Sequence, residues 1–99
     1  ADLGARAMAR LRDRIGASPI VGDIRGRGLM FGVEIVADRA ARTADPDRAE
    51  RIYYRCLAEG LSFKISAGNV LTLSPPLVIA EADLWRAIDI VCAAVQAEA

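Results

Sequence analysis

Two separate stretches of this chain alternate apolar and polar residues with period two, and each doubles back at a glycine turn. Leu29, Phe31, Val33 and Ile35 alternate with Met30, Gly32, Glu34 and Val36. The shorter run Ile20, Val21 and Ile24 precedes them across Arg25-Gly26-Arg27-Gly28, which reads as the turn. Such alternation with β-branched residues predicts strands. Apolar residues on both faces of the second run predict a strand covered on both sides, by helices or by another domain. Downstream, Leu61–Ser66 and Val70–Ser74 flank Ala67-Gly68-Asn69, a three-residue hairpin turn. Pairing Ser66 with Val70 sets Ile65 opposite Leu71, Lys64 opposite Thr72 and Phe63 opposite Leu73. The hairpin then has an apolar face (Phe63, Ile65, Leu71, Leu73) and a polar one (Ser62, Lys64, Thr72, Ser74). Lys64 stands in the middle of the polar face.

Helical patterns surround these hairpins. Leu3, Ala7, Leu11 and Ile15 recur every four residues, with Met8 widening the stripe, so residues 2–15 read as a helix stopped at Gly16. Asp45 suits an N-cap and Pro46 a first helical position. Ala49, Ile52, Tyr53, Cys56 and Leu57 then carry an apolar face, and Gly60 ends the run. Asp47 and Arg51, four apart, can pair. Pro75-Pro76 ends the last strand. Leu84, Ile88, Val91 and Val95 mark a helix over about 81–96, which has Ala80 where a capping Ser or Thr would stand. The order is α-β-β-α-β-β-α. It predicts a two-layer α/β domain with a mainly antiparallel sheet.

Composition narrows the chemistry. The 99 residues hold thirteen basic and thirteen acidic groups, no histidine and one lysine, Lys64. A His-based triad, a His metal site and a pair of catalytic lysines are therefore excluded. Zero net charge argues against a dedicated nucleic-acid binder, since affinity for phosphate rests on clustered excess cations. Arg6, Arg10 and Arg14 do form a row, but Asp2 and Asp13 dilute it and no aromatic interleaves, so it reads as a solvated face. No signal peptide is recognisable, and no apolar run approaches the ~18 residues of a membrane span. Cys56 and Cys92 lie far apart and read as reduced thiols packed on helices in a cytoplasmic protein, a disulfide between helices being the alternative. Nineteen residues are alanine, so the core is small and an independent fold of this size marginal. A fragment is the simpler expectation.

Few motifs carry chemistry. The cluster Gly22, Gly26, Gly28 opens a strand, whereas a phosphate-binding glycine loop must open a helix. The carboxylates Asp23, Glu34, Glu50, Glu59, Asp83 and Asp89 are spread singly, and no metal is expected. Glu34 interrupts an apolar strand, and pairing with Arg25 or Arg27 would satisfy it. Trp85 lies off the main helical stripe and reads as packing against a neighbouring element. Lys64 is open to two readings, an exposed strand lysine or an anchor that shares an anion with the hydroxyl of Thr72.

Two segments together resemble a known family. Val21-Gly22-Asp23-Ile24-Arg25-Gly26-Arg27-Gly28-Leu29-Met30-Phe31-Gly32-Val33-Glu34 resembles the V-x-D-V-R-G-x-G-L-M-x-G-V-E segment of class III (ω-amino-acid type) aminotransferases. Asn69 to Ile79, with Pro75-Pro76-Leu77, resembles their P-P-L strand near the carboxyl terminus. The order and spacing also fit, and the resemblance covers nearly the whole chain.

That resemblance implies a fold-type I enzyme dependent on pyridoxal 5′-phosphate and generally homodimeric. Its cofactor lysine, which forms a Schiff base, lies in a large domain outside this chain. Residues 1–99 would be the C-terminal small-domain segment, with no catalytic or cofactor-binding residue of its own. Its role would be to help recognise an amino donor and a keto-acid acceptor. Many members carry a carboxylate-clamping arginine three residues before the first proline of P-P-L, where Thr72 stands here. Others carry a movable arginine four residues after the Gly-Leu that opens the preceding strand, where Lys64 stands. The resemblance thus marks Lys64 and Thr72 as substrate-binding candidates in a transaminase segment. The alternative is a free-standing α/β ligand-binding or dimerisation module with an anion site at Lys64.

Overall fold

Local capping chemistry sets the start of one helix in the computed structural model, which describes residues 2–76 and 78–99. Leu77, the leucine of P-P-L, and Ala1 lie outside the described residues. Helix α1 spans Asp2–Ile15, strand β1 Val21–Arg27, strand β2 Met30–Ile35 and helix α2 Pro46–Ala58. Strand β3 covers Lys64–Ser66, strand β4 Val70–Leu73 and helix α3 Glu81–Glu98. Asp45 caps α2, its carboxylate accepting from the Arg48 amide at 3.1 Å, with Pro46 at the first position. Helix α3 starts from Ala80 without a side-chain cap.

The four strands form one antiparallel sheet in the order β1-β2-β4-β3. Ile24, Phe31, Val33, Ile35, Leu71 and Leu73 point to one face. There they pack with Leu11 and Ile15 of α1, Ile52 and Cys56 of α2, and Leu84, Ile88 and Val91 of α3. All three helices therefore cover the same side, and the architecture is two-layer α/β as the element order predicts.

Within the described residues the helices cover one face of β2 only. Phe31, Val33 and Ile35 are buried, but Met30 between them and the turn is 56 % exposed. With every helix on one side, the residues of opposite parity face outward. The first hairpin also turns later than expected. Arg27 pairs with Met30, so the loop is Gly28-Leu29, and Gly28 takes the left-handed φ of +60° that this tight reversal needs. Gly26 serves packing instead, because a Cβ there would run into the Met8 side chain.

The arginine row of α1 lies on a half-exposed face and also forms an interhelical ladder, which its spacing did not predict. Arg6 pairs with Glu81 at 2.6 Å, while Arg10 and Arg14 meet Asp89 at 3.0 and 2.8 Å. The guanidinium carbons of Arg6 and Arg10 lie 5.7 and 5.3 Å from the Trp85 ring centre, a cation–π stack. Trp85 does pack against a neighbouring element. Likewise Arg51 leaves Asp47 for Glu98 at 2.9 Å, and Arg55 joins it at 2.8 Å. The half-exposed guanidiniums reach a carboxylate whose side chain is only 10 % exposed, where attraction is less screened than on the helix surface.

Candidate functional site

The β3–β4 hairpin has the register that its sequence dictates: Ser66 opposite Val70, Ile65 opposite Leu71, Lys64 opposite Thr72. Its turn forms because Ala67 and Gly68 both take positive φ, 54° and 81°, and the Asn69 amide donates to the Ser66 carbonyl at 3.2 Å. That is the primed geometry that suits the twist of paired strands. Strand β3 is shorter than the alternation suggests, starting at Lys64. Phe63 just before it packs edge-on against Tyr53, with centroids 5.4 Å apart.

Asn69 then fastens the hairpin to the first one. Its buried side-chain amide donates to the Ile35 carbonyl at 3.0 Å, and its own carbonyl accepts from the Ile35 amide at 2.8 Å. Strand β4 continues from there alongside β2, with Glu34 opposite Val70 and Gly32 opposite Thr72. Thr72 thereby stands beside β2 on the sheet face away from the three helices, and Lys64 lies one strand further out on β3.

The polar group around them is larger than the pair read from sequence. Ser66 Oγ and Thr72 Oγ1 share a hydrogen bond of 2.9 Å, and Thr72 Oγ1 also lies 3.4 Å from the Val70 carbonyl. Lys64 makes no ion pair or side-chain hydrogen bond among the described residues. Its ammonium and the hydroxyl pair supply donors to the same surface, a combination suited to an anion. Ser66 could have been found from the alternation, which puts it two residues after Lys64 on the same face. Arg25 and Gly32 needed the β1–β2–β4 pairing, which no local pattern reveals. They line, with Arg27, Met30 and Thr72, a hollow of about 250 Å³.

Other candidates resolve structurally. Glu34 does not pair with Arg25 or Arg27; Arg42, from the loop before α2, reaches it at 3.0 Å. The register explains this, since Arg25 faces Gly32 and Arg27 faces Met30, while Asp23 stands across from Glu34. Arg25 instead contacts Asp23 at 3.5 Å. Cys56 and Cys92 are free thiols in the core. Burial pushes Cys56 up to about 11, and raises Cys92 as well, so both stay protonated and unreactive at neutral pH. Among the described residues no group of three His, Cys, Asp or Glu side chains could hold a metal. No described helix is long and apolar enough to cross a membrane. A groove of about 850 Å³ between α2 and α3 has alanine at five of its eleven lining positions and no residue of β3 or β4 in its wall.

Comparison with known proteins places this surface in context. The profile of the family described as Aminotransferase class-III matches residues 1–95. An (R)-1-hydroxy-2-aminoethylphosphonate ammonia-lyase of Vibrio splendidus is 53 % identical over 72 residues, which cover 73 % of this chain and 15 % of that enzyme. A leucine/methionine racemase of Thermococcus litoralis is 38 % identical over 87 residues, 88 % of this chain and 20 % of the racemase. The crystal structure of a Bacillus anthracis aminotransferase superimposes with a TM-score of 0.87 at 35 % identity, over 98 % of this chain and 23 % of that one. The chain thus spans less than a quarter of the length of each of these relatives. With the family profile matched almost end to end and its fold shared with a solved aminotransferase, this chain belongs to the class-III aminotransferase family.

Proposed function

We propose that residues 1–99 are the C-terminal small-domain segment of a pyridoxal 5′-phosphate-dependent transaminase. The intact enzyme would move an amino group from an amino acid or ω-amine donor to a keto acid. Members of the family use pyridoxal 5′-phosphate, which when bound supplies an electron sink for chemistry at the amino-bearing carbon. The residues of this chain do not fit the cofactor's own site. Lys64, the one lysine, is an exposed residue of an edge strand, and among the described residues no aromatic ring shares its sheet face where a pyridine could stack.

Recognition is the part left to this chain. One observation carries the reading: Lys64 lies in register with Thr72 on the sheet face that no helix covers. There the ammonium attracts a substrate carboxylate as a point charge and the hydroxyl orients it, in place of the planar fork of an arginine. In this reading the whole enzyme is a cytoplasmic homodimer. Family membership does not favour the free-standing module.

Replacing Lys64 by Ala in the full-length enzyme should raise KM for acid-bearing substrates about tenfold and change kcat little, a loss of roughly 1.4 kcal/mol. Unchanged kinetics for every carboxylate substrate would remove the role. A second reading, elimination of ammonia from an amino compound, is favoured by the 53 % identity with the Vibrio lyase. Release of free ammonia without any keto acid present would select it.

A further inference from the structure

We infer that Arg12 guards the open edge of the sheet at β1 against strand pairing with a second copy of this chain. The strand order β1-β2-β4-β3 leaves two edges. Strand β3 has three residues, Lys64 among them, and so short and charged an edge resists pairing. Strand β1 has seven residues and is the longest of the four. Its edge groups follow from its turn. A two-residue loop is closed by a hydrogen-bonded pair, here Arg27 and Met30. Bonded pairs then alternate, at Arg25–Gly32 and Asp23–Glu34, so Ile24 and Gly26 direct their N–H and C=O groups away from β2. A row of such groups is a template for another strand.

Helix α1 runs along that strand in matched steps. A Cβ on Gly4 would run into the backbone of Gly28, and one on Gly26 into the Met8 side chain. One turn further on, Nη2 of Arg12 donates to the Ile24 carbonyl at 3.1 Å. Positions 4, 8 and 12 of the helix thus meet 28, 26 and 24 of the hairpin. Four helical residues advance about 6.0 Å and two strand residues about 6.8 Å, so the two rows keep pace over this length. The close approaches at Gly4 and Met8 fix the helix along β1, and that places Arg12 at the edge. Among the described residues Arg12 makes no ion pair, and its guanidinium is spent on this carbonyl. An acceptor that an added strand would need is therefore occupied.

Without the guard, the same edge suits a second copy of itself. Antiparallel pairing of β1 with β1 sets Ile24 opposite Gly26 of the second copy and Arg25 on the two-fold axis, a self-complementary contact. The Gly26 amide of each copy then seeks the Ile24 carbonyl that Arg12 holds. On the outer face, Asp23 of each copy stands opposite Arg27 of the other, which gives two attractions against one Arg25–Arg25 repulsion. Both partners are available: Arg27 makes no ion pair among the described residues, and Asp23 has only its 3.5 Å contact with Arg25.

Sedimentation velocity of the full-length, cofactor-loaded enzyme at rising protein concentration tests this. Arg12→Met keeps the stem and removes the donors; Arg12→Gln is too short to reach the carbonyl. Each frees two interstrand hydrogen bonds per contact, so larger assemblies should form at a concentration about tenfold below any at which the unsubstituted enzyme forms them. Arg12→Lys, which restores a donor, should not associate in this way. Adding Arg27→Glu to Arg12→Met sets like charges opposite Asp23 and should abolish the association. That reversal separates edge pairing from aggregation through lost stability, which one surface charge does not cure. If Arg12→Met and Arg12→Gln both keep the mass of the unsubstituted enzyme, the inference is overturned. Association that Arg27→Glu leaves unchanged overturns it as well, and so does association of Arg12→Lys as ready as that of Arg12→Met.

Discussion

Asn69 shows how one side chain can join two hairpins. It is a turn residue by sequence, yet it is only 7 % exposed, and its amide is spent on the carbonyl of Ile35, 34 residues away. A buried polar group is tolerated when it is bonded in this way. Cys56 is the opposite case, a titratable group with no polar compensation. Burial raises its thiol from the ordinary 9.0 to about 11, so between those values the unfolded chain loses a proton that the folded chain keeps. Stability should therefore be undiminished by this group below about pH 9 and fall as pH rises toward 11. Urea titrations across that range should show the decline, and Cys56→Ala should flatten it; an unchanged slope would refute the assignment. The hydrophobic period of α2 already marks Cys56 as inward. The role of Asn69 was not legible, because its partner lies on a strand with which no local pattern connects it.

Between elements, the ladder from α1 to α3 is the contact that the sequence describes least. Spacing shows that Arg6, Arg10 and Arg14 share a side of their helix, but not what lies across from it. In the fold that side meets Glu81, Trp85 and Asp89. The Arg10 guanidinium, with Arg14 beside it, holds the Asp89 carboxyl below its usual range. Its contribution is thus present above that range and fades as acidification passes the lowered value. Solvent screens these half-exposed groups, so Asp89→Asn should cost only about 0.5–1 kcal/mol. Denaturation at low and high salt checks this: the loss should shrink in high salt, and a loss that salt does not change would rule out an electrostatic origin. Helix ends, by contrast, were readable in advance at Asp45, Pro46 and Gly60, since capping depends on neighbours within a few residues.

At the scale of the molecule, the sheet has one face buried under three helices and one face carrying Arg25, Gly32, Thr72, Lys64 and Ser66. Equilibrium dialysis of pyridoxal 5′-phosphate against the 99-residue chain should find no saturable binding in the micromolar range; retention there would contradict the assignment of this segment to substrate recognition alone. The sequence by itself determined the order of elements, the inward stripes and the pairing of Lys64 with Thr72. Those depend on periodicity and on a hairpin closed over three residues. Tertiary structure alone decided that β2 lies beside β4, that every helix sits on one side, and that Arg25 shares a row with Lys64. Such choices rest on contacts between residues tens of positions apart, whose free energy exists only once the layers have packed.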